Sequence, residues 1–250
     1  MGVRVNRLLI ILGAIALWEF VASTPLVPQF FIKTPSTIIL KTNSIILSGE
    51  LLPNLQITVI SIGLAVSIAM AIGLALGLVI GAYKFLGDIF EPLLFMLFAF
   101  PLVVVFPLFV IWFGFGLNAN VAFGVVTGFL PIAINTMAGV RSVDKALIKA
   151  SRSMGASASN IYRKIILPAS TPTIVTGLRQ GVALTIIGVI VGEMLAPIAG
   201  LGHIMDISST TLDYAKLSSV VLITLFIGTT INEGLRFLEG RTSSWRIRPR

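Results

Sequence analysis

The chain has 250 residues, of which 56% are hydrophobic and 11% charged, with a mean hydropathy of +1.01; an ordinary soluble domain carries roughly a quarter charged residues. Six membrane spans of about 20 residues would take roughly half of this length and leave no large soluble domain. With no Cys and one His, His203, a disulfide framework, a thiol nucleophile, haem attachment, thiolate metal centres and two-His metal pairs are excluded, and no metal site is expected. The net charge of +8 is spread between apolar runs, which fits the bias of Lys and Arg toward cytoplasmic loops better than a polyanion reader with a basic folded face.

In chain order, the first apolar stretch runs from Leu8 to Leu26 behind Arg4 and Arg7. Ala22 and Ser23 mimic a signal-peptide cleavage site, but Glu19 inside the stretch argues for a retained helix. Residues 27–55 hold Pro28, Pro35 and Pro53 and read as a loop with a short helix beginning near Ser36. Between Glu50 and Lys84 there is no charge, and a second span is placed at 57–83, long enough to cross with tilt. Gly73, Gly77 and Gly81 fall on one of its faces, a spacing that lets helices approach closely in lipid.

Pro92 to Val140 is again charge-free, too long for one span and suited to two, at 92–113 and 119–140, with the break at Gly114-Phe115-Gly116-Leu117-Asn118. Pro101 and Pro107 should kink the first of these, a candidate gate element. Residues 141–170 are the most polar stretch. A fifth span is placed at 172–196, with Thr171 as N-cap and Pro172 at the first helical position. A glycine-rich loop (Gly200, Gly202) leads to a sixth span at 216–237 and a basic tail.

Six spans put both termini on one side. On that side fall Arg4, Arg7, Lys84, Arg141, Lys145, Lys149, Arg152, Arg163, Lys164, Arg179, Arg236, Arg241, Arg246, Arg248 and Arg250, against Lys33, Lys41 and Lys216 opposite. This asymmetry predicts cytoplasmic termini. The fold class is therefore an all-α integral membrane protein of about six transmembrane helices, one domain over 1–250, with a helical cytoplasmic loop between helices 4 and 5.

That loop is patterned. From Asp144, a possible N-cap, Leu147, Ala150, Ser151 and Met154 recur at helical spacing, and Gly155 stands where a helix ends in a left-handed residue. Ser157 can cap a second helix carrying Ala158, Ile161, Tyr162, Ile165 and Ile166 on one face, which Pro168 should stop. A helix pair of this kind can lie on anionic lipid or serve as a handle for a soluble partner, and the pattern alone leaves both open.

Lys149-Ala150-Ser151, Gly155 four residues on and Ile165-Ile166-Leu167-Pro168 after nine more resemble the Glu-Ala-Ala-x3-Gly-x9-Ile-x-Leu-Pro motif of binding-protein-dependent ATP-binding cassette (ABC) importers, with matching spacing. Trp18-Glu19, Trp112-Phe113-Gly114, Pro131 with Asn135, Gly139-Val140-Arg141, and Glu193-Met194 with Gly200-Leu201-Gly202 resemble the nitrate/sulfonate/taurine branch. The resemblance implies a permease subunit, not an enzyme, in the cell (inner) membrane. Its implied partners are a cytoplasmic ATPase, an extracytoplasmic solute-binding protein and a second permease copy, with no nucleic acid. It also implies an ATPase-docking loop made of Lys149, Ala150, Ser151, Gly155, Ala156, Ser157, Ile161, Ile165, Leu167 and Pro168. Lys149 stands where the family has Glu, so either the partner carries a compensating acid or the contact is dispensable. The chain lacks any Gly-Lys dipeptide and hence a phosphate-binding loop; ATP and Mg would be handled by the partner, with no cofactor here.

Ionisable groups at membrane depth are functional candidates. Arg179 and Glu193 fall within roughly 40° of one face of the fifth span and about 21 Å apart along it. Both are expected on the translocation path, Glu193 toward the outer gate, with snorkelling to the nearer interface as the alternative. Glu233 with Arg236 reads as a structural pair. His203 reads as a loop residue, and the aromatics Phe95 to Phe113 as packing. A secondary carrier driven by an ion gradient would show two corresponding halves with broken helices, but the basic loop occurs once. A membrane hydrolase lacks every catalytic motif. Nitrate, sulfonates such as taurine and small heterocyclic vitamin precursors remain open as substrates.

Overall fold

The computed structural model describes residues 2–24, 28, 30 and 32–242. Leu26, at the end of the first expected span, and Arg246, Arg248 and Arg250 of the tail lie outside the described residues, as do the side chains of Arg4, Arg7 and Arg241. Among the described residues all regular structure is helical.

Three helices form the centre: α3 (Leu51–Ala82), α6 (Leu117–Arg141) and α9 (Leu167–Leu195). Small residues bring them together. A Cβ on Gly73, Gly77 or Gly81 would come within 2.7 Å of Ile132, 2.5 Å of Thr136 and 2.8 Å of Val140 respectively, so the α3 stripe packs directly on α6, as the spacing suggested. These pairs advance together along both helices, which makes α3 and α6 parallel. The chain leaving Ala82 must therefore return across the whole thickness before α6 begins. It does so as α4 (Lys84–Ala99), a short 3-10 turn (Leu102–Val105) and α5 (Phe106–Phe113).

That third crossing corrects the kinked helix placed at 92–113. It is two helices bent by 82°, broken at Phe100-Pro101, where Pro101 precedes the 3-10 turn and Pro107 falls in the first turn of α5, positions at which a missing N–H costs nothing. It also begins earlier. Lys84, Asp88 and Glu91, assigned to a connection, lie on α4, where Arg141 of α6 bonds Glu91, Asp88 (3.2 Å) and the carbonyl of Lys84 (3.2 Å). Gly87 leaves room for that guanidinium, which a Cβ would approach to 2.0 Å.

The other boundaries shift for local reasons. The second span starts at Leu51 rather than 57, since Pro53 falls in the first turn, where a missing N–H costs nothing. α2 (Pro35–Leu47) is capped by Thr34, whose hydroxyl accepts from Thr37 N. α10 (Leu201–Thr210) replaces part of the expected glycine-rich loop and carries His203. α1 (Gly2–Ser23) and α11 (Tyr214–Thr242) flank the centre. Four helices are long and apolar enough to span, with the bent pair a fifth and the apolar Leu9–Ser23 segment of α1 shorter.

One core cluster joins Ile62 and Ala65 of α3, Val182 and Val189 of α9, Leu201 and Ile204 of α10, and Val220 of α11. A second cluster sets Phe106 and Phe109 of α5 against Phe123 of α6, with edge-on ring contacts of 5.2 and 5.5 Å.

Candidate functional site

The patterned loop folds as two helical segments. α7 (Lys145–Ser153) is capped by Asp144, whose carboxylate accepts from Ala146 N at 2.7 Å. It ends in a left-handed glycine: Gly155 has φ +80°, Gly155 N donates to Arg152 O (2.9 Å) and Ala156 N to Ser151 O (3.1 Å). Those two bonds satisfy the last carbonyls of the helix. Ser157 caps the next segment, accepting from Asn160 N.

Here the structure corrects the expectation that Pro168 ends that segment and that Thr171 and Pro172 start another. α8 (Ala158–Ile161) runs through a widened turn, Tyr162–Ile166, straight into α9. In that turn Leu167 N reaches back five residues to Tyr162 O. Pro168 has no N–H to donate and its ring would press on the carbonyl four residues earlier, so the wider turn makes the room. Pro172 is inside the helix, and Thr171 donates to Leu167 O instead of capping. The second segment of the loop and the fifth span are one helix of 38 residues, Ala158–Leu195.

The loop residues divide by exposure. Lys149 and Ala150 are exposed; Ser151 is buried, its hydroxyl bonded to Leu147 O. Ala156, Ile165, Leu167 and Pro168 are half-buried, Ser157 is exposed and Ile161 is buried. Tyr162 ties the second segment to α3 through Leu78 O at 3.2 Å.

Glu193, expected on the path, is 0% exposed. Its carboxylate accepts from the Thr58 hydroxyl (2.8 and 2.9 Å) and from Gly202 N (3.0 Å), while Thr58 itself accepts from Leu201 N (2.8 Å). Asn54 accepts from Gly200 N at 2.8 Å. Three N–H groups at the start of α10, which no intrahelical carbonyl can reach, are thus satisfied by α3 and α9. Negative charge is favourable at that helix end. Gly200 (φ +109°) lies so close that a Cβ would come within 2.3 Å of the carboxyl carbon. Glu193 is a latch between α3, α9 and α10, and its side chain is turned away from any open face of the protomer.

Arg179 lies elsewhere. It is half-buried and lines a cavity of about 230 Å³ with Thr176, Gln180, Ala183 and Asn232, between α9 and α11. Asn135 of α6 donates to Gln180 at 3.2 Å. A larger apolar groove of about 460 Å³ continues from Ala183 and Asn232 along the same two helices. Pro101 and Pro107 are exposed at the bend of the third crossing, apart from both. At the α10 end Lys41 pairs with Asp213 (2.8 Å), Lys216 with Glu50 (2.7 Å), and Lys33 sits 5.9 Å from the centre of the Phe30 ring. Glu233 and Arg236 pair at 3.3 Å. The described residues hold no cluster of three or more His, Cys, Asp or Glu suited to a metal.

The latch partners Asn54 and Thr58 escaped the sequence reading. The available signal was their i, i+4 spacing, two polar side chains on one face of a charge-free helix.

Residues 69–243 match the family of binding-protein-dependent transport system inner membrane components. The chain belongs to that family. Among relatives, the putative aliphatic sulfonates transport permease SsuC of Bacillus subtilis (strain 168) is 30% identical, covering 93% of this chain and 84% of that one. The taurine transport system permease TauC of Escherichia coli (strain K12) is 28% identical over 92% and 86%. The fold is that of solved ABC transporter membrane subunits. One, from an amino acid ABC transporter crystallised with histidines, gives a TM-score of 0.64 at 21% identity over 81% of this chain and 96% of that one. Another, from the inward-facing MetNI methionine transporter, gives 0.63 at 20% over 74% and 93%. The permease is a multi-pass membrane transport component and not an enzyme.

Proposed function

We propose that this permease forms the translocation pathway of an ABC importer for a sulfonate-type solute, taurine or an aliphatic sulfonate, and that a separate ATPase docks on residues 144–168. The observation that carries the docking reading is mechanical: the exposed helix α7 leads through one glycine turn into a helix that continues unbroken across the molecule. The sulfonate assignment rests on the relatives' substrates.

The docking surface comprises Lys149, Ala150, Gly155, Ala156 and Ser157, with Ser151, Ile161, Ile165, Leu167 and Pro168 holding it to the bundle. Two copies of the permease assemble, each with one ATPase that hydrolyses ATP with Mg, and a solute-binding protein delivers the substrate at the α10 end. The concentration of Lys and Arg at the loop end supports a cytoplasmic location for that end and both termini. Arg179, at the loop-side half of α9, lines the path, and the bend at Pro101 and Pro107 contributes to the gate. The paired lysines Lys41 and Lys216 argue against an anion filter at the outer mouth, leaving selection to the binding protein.

Gly155→Pro tests the docking. Proline cannot adopt the positive φ of that position, so membrane insertion should persist while the ATPase no longer copurifies; a normal yield of bound ATPase refutes the assignment. Uptake by vesicles reconstituted with ATPase and binding protein, compared for taurine, alkanesulfonates, nitrate and heterocyclic precursors, tests the substrate. Uptake driven by an ion gradient without ATP would favour a carrier.

A further inference from the structure

We infer that the partner groove receiving α7 is acidic and pairs with a cationic flank formed by Lys145, Lys149 and Arg152. The inference rests on the docking reading above and adds the chemistry of the partner. At about 100° per residue these three side chains lie within roughly 60° of one another around the helix. All three are exposed, and no ion pair joins any of them to a described carboxylate. The one acid beside them, Asp144, is engaged by Ala146 N.

The remaining surface of α7 divides by chemistry. Ile148 and Ser151 occupy the side turned toward the protein. Ala146, Ala150, Leu147 and Met154 occupy the other flank, and the last two are 53% and 79% exposed. The helix therefore offers a smooth apolar strip beside a row of cations. No carboxylate among the described residues pairs with that row. Lys145 and Lys149, like charges four residues apart, oppose the helix, and Lys145 sits at the end where the helix dipole disfavours a cation, although Arg152 in the last turn is favoured by it. Keeping the loop on one side of a membrane calls for positive charge in it, but not for alignment of that charge on one flank. Anionic lipid would be met by an apolar face dipping into the bilayer between basic flanks, whereas here the cations line one side only. A groove with an apolar floor for Leu147 and Met154 and carboxylates along one wall matches both flanks.

The experiment uses the full permease, tagged and coexpressed with its cognate ATPase, and reads the ATPase retained in detergent across salt concentrations. Wild-type retention should fall as salt rises. Lys149→Glu should weaken association by roughly tenfold or more, Lys149→Ala by a few fold, and Lys149→Arg should preserve it. Association of Lys149→Glu at wild-type strength, or stronger, overturns the acidic groove. Gly155→Pro, run alongside, separates the two claims. If it abolishes association while Lys149→Glu does not, docking stands and charge pairing falls; if Gly155→Pro still binds, both fall. Lys149 protected from acetic anhydride only in nanodiscs containing phosphatidylglycerol, with ATPase binding unchanged in Lys149→Glu, would assign the flank to lipid and overturn the inference.

Discussion

The two polar ends of this permease are built on opposite principles. At the α10 end, a buried carboxylate, a threonine hydroxyl, an asparagine and three backbone N–H groups from three helices satisfy one another completely. The lysines nearby are paired with Asp213 and Glu50. At the loop end, Arg141 is likewise held by Glu91 and Asp88, but α7, projecting beyond that network, carries three cations that no described carboxylate meets. The contrast teaches how to sort polar groups in an apolar chain. Those whose partners lie within the fold maintain it, and those left open are available to something outside.

The comparison can be broken at several points. The largest effect is expected from Glu193→Leu, which leaves the Thr58 hydroxyl and Gly202 N–H unsatisfied in the interior and should cost about 3 kcal/mol, read as a lowered thermal midpoint of the solubilised protein. A loss below about 1 kcal/mol would mean that the latch is not structural. Gly77→Val forces a side chain into Thr136 and the Ala133 carbonyl, 2.5 and 2.6 Å from the position of its Cβ, and should cost about 1–3 kcal/mol by overpacking. Thr58→Val, which removes one member of the latch, should fall at about 1–2 kcal/mol.

Asp213 lies between α10 and α11, outside the spans. Partial burial pushes its carboxyl up, but the Lys41 ammonium, Lys216 N–H and the charges of both lysines outweigh this and hold it below the ordinary carboxylate range. A depressed value means that the ionised form is bound more tightly in the folded state. Its contribution is present above the unfolded value, near 3.9, and is lost as pH falls through the folded one. The thermal midpoint should therefore drop as pH falls below about 4, and Asp213→Asn should flatten that segment of the profile. The smallest effect is expected at the other pole: Lys145→Gln with Lys149→Gln should leave stability within about 0.5 kcal/mol of wild type. A large loss there would show that the cations serve the fold after all.

Much of the framework was legible because lipid imposes simple rules. The charge-free runs 51–83 and 92–140 could only be membrane helices, the Gly114–Gly116 break is where backbone needs positive φ, and the glycine stripe on α3 meets α6. What escaped was what depends on partners far along the chain. Glu193 could be placed on a face by counting, but its bond to Thr58 spans 135 positions and its bond to Gly202 N depends on a helix start that the glycines disguised, so its burial had no clear local signature. Pro168 follows the rule that proline ends helices and Pro172 the rule that it starts them, and the widened turn overrides both. α10 was hidden because its glycines, normally signs of a loop, are there to admit Glu193. Charges on α4 suggested a connection, since their common partner, Arg141, is some fifty residues downstream.

The widened turn at Tyr162–Ile166 has one more consequence. Because Ala158–Leu195 is continuous, a push applied beside α7 has about 57 Å of uninterrupted rod to act on, reaching from the surface to the residues that clasp α10. There is no joint in which displacement could be lost, except the few residues with looser backbone bonding around Pro168. Stiffening or shortening that stretch would alter how much of a displacement at α7 is carried toward α10.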